Sequence, residues 1–105
     1  MTNWVRVASA AKVREGEPYP ARVNDIDIGL YRIGDNIYAL DDTCPHEFAL
    51  LSEGFVEGSV IECPLHAARF EITTGALLDG PSPCGVRAYE VKVEGDDVLV
   101  AAPDS

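Results

Sequence analysis

Two short stretches constrain this chain more than anything else in it: Cys44-Pro45-His46 and Cys63-Pro64-Leu65-His66. Each supplies one thiol and one imidazole, and the sixteen residues from Glu47 to Glu62 separate them. The chain has only two histidines and three cysteines, and both histidines and two of the cysteines fall here. Thiolates and imidazoles are the side chains that bind borderline and soft metals. Two matched pairs of them predict a metal centre with Cys44, His46, Cys63 and His66 as its ligands. That requirement reaches into the fold, because two loops must meet at one end of a small scaffold.

The rest of the chain reads as that scaffold. Trp4-Val5-Arg6-Val7, Tyr19 to Val23 and Asp27 to Ile33 are rich in strand formers. Gly34-Asp35-Asn36 is a turn signal, with Gly34 supplying the positive φ that tight hairpins favour, and Ile37 to Leu40 returns as the partner strand. Cys44 to Ser52 reads as a loop or short helical turn. Gly54 to Val56 and Val60 to Glu62 read as a hairpin closed by Glu57-Gly58-Ser59. Arg69 to Ile72 alternates as a strand, and Thr73-Thr74-Gly75 turns it back into Ala76 to Leu78. The proline-rich segment 80–85 can be neither helix nor central strand, because proline lacks a donor and restricts φ. A last hairpin joins Ala88–Val93 to Val98–Ala101 around Glu94-Gly95-Asp96-Asp97. Eight or more short strands without a convincing amphipathic helix predict an all-β protein, an antiparallel sandwich or small barrel. At 105 residues the chain is expected to be a single domain, 1–105.

Charge and composition narrow the function. The formal net charge of −10 argues against nucleic acid and against an anionic membrane surface. No long apolar run predicts a membrane span. The N-terminus lacks a basic region followed by an apolar one, so a cytoplasmic protein is expected, where thiols stay reduced. From Ile33 to Ala68 there is no Lys or Arg, while Asp35, Asp41, Asp42, Glu47, Glu53, Glu57 and Glu62 all lie in that span. Such a run is either solvated surface or a docking surface for a basic partner.

The ligand set suits zinc as well as iron. Zinc fingers space paired ligands by at least two residues and group the histidines on a helix. Here each half mixes one Cys with one His, and only one residue separates the first pair. A Cys/His catalytic pair would leave the second pair without a purpose. No nucleophile–base–acid set, Gly-rich phosphate loop or nicotinamide fingerprint is legible, which points away from an enzyme.

Cys-x-His, sixteen residues, then Cys-x-x-His resembles the ligand motif of Rieske [2Fe–2S] proteins. Leu51-Ser52-Glu53-Gly54, the run from Glu62 to Phe70, Thr74-Gly75, the segment 80–85 and the final hairpin resemble the Rieske ferredoxins of bacterial ring-hydroxylating dioxygenase systems. The resemblance implies a β sandwich with a small inserted cluster-binding subdomain, about 42–69, and a proline loop, 80–85, over the cluster. It implies that Cys44 and Cys63 hold the inner iron and His46 and His66 the outer one. The cofactor would be one Rieske-type [2Fe–2S] cluster, in which imidazoles replace two thiolates and raise the potential. The implied function is one-electron transport in aromatic hydrocarbon catabolism. Electrons would pass from a flavin-containing, NAD(P)H-dependent ferredoxin reductase to a terminal Rieske non-haem iron oxygenase, with the carrier a monomer. The rivals are a fixed Rieske-type small subunit of another oxidoreductase, such as nitrite reductase, and a structural zinc protein. Glu47 and Ala67 stand where related ferredoxins often have Gly. Phe48, Leu50, Leu51, Leu65 and Pro81 are candidates for an apolar rim. Cys84 is expected to be a small buried residue and not a ligand.

Overall fold

A computed structural model describes residues 3–45, 49–65, 67–80, 82 and 84–102. Among them the chain runs as eleven strands: β1 (Trp4–Ser9), β2 (Tyr19–Val23), β3 (Ile26–Ile33), β4 (Asn36–Asp41), β5 (Phe55–Glu57), β6 (Val60–Glu62), β7 (Arg69–Glu71), β8 (Leu77–Asp79), β9 (Ala88–Tyr89), β10 (Val91–Glu94) and β11 (Asp97–Ala101). The only helical pieces among the described residues are two 3₁₀ turns, Ala10–Lys12 and Leu51–Glu53. Every paired strand is antiparallel, and the strands form three sheets in the orders β1-β11-β10, β2-β3-β4-β9 and β5-β6-β7-β8. The all-β expectation is borne out.

Short turns set the registers. Four hairpins close with two-residue loops, between Val23 and Ile26, Ile33 and Asn36, Glu57 and Val60, and Glu94 and Asp97. In each the first loop residue is left-handed: Asn24, Gly34, Gly58 and Gly95. This is where the twist of an antiparallel pair favours positive φ.

The middle sheet explains the architecture. On β3 and β4, Ile28, Leu30, Ile37 and Ala39 face a first core shared with Val98 and Val100 of β11. The alternate residues Tyr31 and Leu40 face a second core with Leu51, Ile61, Phe70 and Ile72. Side chains alternate across a strand, so one sheet lines both cores. The third sheet and both Cys/His stretches fall between β4 and β9, strands that are neighbours in the middle sheet.

One sequence reading is corrected. The segment 88–93 is not one strand: Ala88–Tyr89 pairs with β4, and Val91–Glu94 pairs with β11. The chain changes sheets at Glu90, an exposed residue between two runs of strand-forming residues. No helix among the described residues is long and apolar enough to cross a membrane.

Candidate metal centre

The two Cys/His stretches begin in the same way. Cys44 follows β4, and its N–H donates to the Ala49 carbonyl at 2.9 Å. Cys63 follows β6, and its N–H donates to the Ala68 carbonyl at 2.8 Å. Each loop is thus closed by a bond spanning five residues. Both cysteines belong to the second core and are buried, at 2% and 1% exposure. No cysteine is in a disulfide. Two buried cysteines in one apolar cluster, at the mouths of matched loops, fit a group held by sulfur ligands. His46, Glu47, Phe48 and His66 lie outside the described residues.

The necks of the loops differ. Below Cys63 the chain continues as the β6–β7 ladder, with Glu62 opposite Arg69 and Ile61 opposite Phe70. Below Cys44 there is one isolated bridge, Thr43 to Leu50, and then Asp42. The Asp42 carbonyl accepts from Leu51 N–H at 2.7 Å. Its carboxylate accepts from Ser52 N–H at 2.7 Å and from Ser52 Oγ at 2.6 Å. Asp42 is buried, with 1% of its surface exposed. Burial pushes its carboxyl above the usual range, and the two Ser52 bonds oppose that. Its neighbour Asp41 accepts a hydrogen bond from the Tyr89 hydroxyl on β9. Sequence reasoning took both carboxylates as acidic surface. Neither the burial of Asp42 just after β4 nor its partner Ser52 was legible.

The second loop meets the start of the proline segment. A Cβ at Gly80 would lie 2.5 Å from Ala68 Cα, so only glycine permits that approach. Ser82 is buried and donates from Oγ to the Cys84 carbonyl at 2.7 Å. Cys84 is exposed, which corrects the expectation that it is buried: its segment runs over the surface, and Ser82 takes the inward position. Pro81 and Pro83 lie outside the described residues. Ala67, one of the two departures from glycine, has φ +58, the left-handed region that glycine favours. Of the apolar rim residues, Leu65 is exposed and Leu51 is fully buried in the second core.

The acidic span divides in space. Glu53 and Glu57 are exposed and Glu62 half-exposed on the unit that carries the loops. Asp35 sits in the β3–β4 turn, at the far end of β4 from Cys44. Arg69 borders the acidic face and pairs with Asp79 at 3.3 Å. Phe55, 65% exposed, lies opposite Glu62 across β5 and β6.

Comparison with known proteins agrees with this geometry. The Rieske [2Fe-2S] domain family matches residues 3–100. The ferredoxin component of the naphthalene 1,2-dioxygenase/salicylate 5-hydroxylase systems of Ralstonia sp. is 40% identical over 98 residues, covering 93% of this chain and 94% of that one. The ferredoxin of carbazole 1,9a-dioxygenase from Nocardioides aromaticivorans IC177 superimposes with a TM-score of 0.91 at 38% identity, covering 97% of this chain and all of that one. A chain in the complex of reduced oxygenase and oxidized ferredoxin in carbazole 1,9a-dioxygenase superimposes with a TM-score of 0.88 at 36% identity, covering 100% and 98%. The buried thiol pair, the matched loops and these likenesses together make this chain a member of the Rieske [2Fe-2S] domain family, with one cluster of that type as its cofactor.

Proposed function

We propose that this protein is a one-electron carrier that takes electrons from a flavin-containing, NAD(P)H-dependent ferredoxin reductase and delivers them to a terminal ring-hydroxylating oxygenase. The observation that carries the reading is the pair of buried thiols, Cys44 and Cys63, at the mouths of matched loops in a chain of ferredoxin size and fold. Relatives named as ferredoxin components, and a ferredoxin seen in complex with its oxygenase, support the partner class. They favour a mobile carrier over a fixed subunit of another oxidoreductase, and the family leaves no place for the structural-zinc reading.

Cys44 and Cys63 would hold the cluster from the core side, with His46 and His66 completing it. Residues 42–69 would form the ligand-bearing subdomain and 80–85 its cover. The cluster supplies reversible acceptance of a single electron. The protein seats the sulfur ligands in an apolar core and brings them near a surface. Glu62 directly precedes Cys63 and Glu53 lies in the turn after the first Cys/His loop, which suits brief, charge-steered encounters.

The test has two parts. Purified protein should be red-brown with one [2Fe–2S] cluster by iron and sulfide assay, and Cys63→Ser should lose the colour. Stopped-flow mixing with reduced cognate reductase and then with oxidised oxygenase should show reduction and reoxidation within turnover time. A Cys63→Ser protein with a wild-type spectrum would sink the ligand assignment. A cluster that neither partner reduces nor oxidises would sink the carrier function.

A further inference from the structure

The two ligand loops need the same closure but receive it differently. Loop 63–68 stands on a strand ladder, β6 on β7. Loop 44–49 has no such footing, because β4 lies in the middle sheet and β5 in the third. After the single Thr43–Leu50 bridge, what ties its two ends is Asp42. The carbonyl binds Leu51 N–H, and the carboxylate binds both donors of Ser52. A buried carboxylate costs free energy unless its oxygens are satisfied, and hydrogen bonds to an ionised acceptor are among the stronger ones. Packing alone would be served by an apolar residue.

The surroundings are built to admit it. A Cβ at Gly29 would lie 2.8 Å from Tyr31 Oη and 3.2 Å from Asp42 Oδ1. Gly29 therefore leaves the room into which the tyrosine hydroxyl and the carboxylate both reach. The Asp42 N–H donates to the Asp27 carbonyl at 3.0 Å, holding the residue to β3. Asp42 thus joins three pieces: the middle sheet, the first ligand loop and the 3₁₀ turn Leu51–Glu53.

The geometry points to Asp42 as a positioning residue for the cluster: its carboxylate, clamped on Ser52, takes the place of a strand ladder at the neck of the first Cys/His loop and sets where Cys44 presents its thiol. This rests on the assignment of Cys44 as a ligand. Removing a group that orients metal ligands typically costs about 10–100-fold in metal affinity.

The test uses the holoprotein. Asp42→Ala should change the EPR g-values and line width of the reduced cluster, move its midpoint potential, and speed chelator-driven bleaching about tenfold. Ser52→Ala should act in the same direction with a smaller effect. Asp42→Asn can still accept from Ser52 N–H and can donate to Ser52 Oγ, so it should keep the wild-type line shape. Leu30→Ala, in the first core, should lower stability without altering the EPR signal. Wild-type g-values and bleaching rate in Asp42→Ala would overturn the proposal, as would an Asp42→Asn signal as disturbed as that of Asp42→Ala. An equal EPR change in Leu30→Ala would also overturn it. If Asp42→Ala gathers no cluster, Ser52→Ala decides on the same readings. A Cys44→Ser protein with the wild-type spectrum would overturn the ligand assignment and the proposal together. Normal ligand variants with an unresponsive Asp42 would overturn the proposal alone.

Discussion

Gly80 and Ala68 meet backbone to backbone: a Cβ at Gly80 would stand 2.5 Å from Ala68 Cα and 3.1 Å from Ala68 Cβ. Gly80 also has φ +107. Ala68 closes the second Cys/His loop through its carbonyl, so this contact seats the start of the proline segment against that loop. Gly80→Ala introduces both a clash and backbone strain and should cost about 2 kcal/mol or more. Urea unfolding of the holoprotein, followed by cluster absorbance and circular dichroism, measures it; a loss under about 0.5 kcal/mol would contradict the contact.

Ala67 gives the opposite sign. It is exposed, with φ +58, where a side chain costs roughly 1–2 kcal/mol relative to the right-handed region. Glycine relieves that strain but has more freedom to lose on folding. Ala67→Gly should therefore stabilise the protein by up to about 1 kcal/mol, read as a higher urea midpoint with an unchanged slope. A destabilised variant would refute the strain.

Two buried tyrosines should respond differently to loss of their hydroxyls. Tyr89 donates to Asp41, whereas Tyr31 Oη is buried and makes no hydrogen bond among the described residues. Tyr89→Phe should cost about 1–2 kcal/mol and Tyr31→Phe less than about 0.5 kcal/mol, because only the first removes a bond. Burial raises both hydroxyls above the ordinary value of 10.0, with Asp42 adding to it at Tyr31 and the Asp41 bond at Tyr89. The folded protein then holds these protons more tightly than the unfolded chain. Their contribution is full below pH 10 and is lost as pH rises above it. Unfolding free energy should fall with pH in that window, and less steeply in Tyr31→Phe.

The acidic span should act by place and not by sequence. Glu53 is exposed in the turn directly after the first Cys/His loop, while Asp35 is separated from Cys44 by the whole of β4, roughly 20 Å of strand. Glu53→Lys should slow electron transfer from the reductase roughly threefold or more at low salt, and Asp35→Lys much less. Both differences should shrink at high salt, as the screening length falls from ~10 Å at 0.1 M to ~3 Å at 1 M. Stopped-flow rates equal in the two variants would make the span mere solubilising surface.

The sequence by itself determined what depends on neighbours along the chain. The Cys/His spacing, the left-handed turn residue Gly34, the turns at Gly58 and Gly95, and the alternating run Arg69–Ile72 are local features, and the turns and strands follow from local backbone preferences. The two thiols could be named as a pair, and both lie buried in one core. Tertiary structure decided what depends on which layer a residue faces. Asp42 is charged and was read as surface, yet it lies buried just after β4, and a serine ten residues on makes that burial tolerable. Cys84 is apolar enough to be read as buried, yet its segment crosses the surface while Ser82 points in. The run 88–93 has one strand-like composition but serves two sheets, because the partners β4 and β11 lie in different layers. Burial and pairing are set by contacts between residues far apart in the chain, and no local pattern encodes which sheet will cover which face.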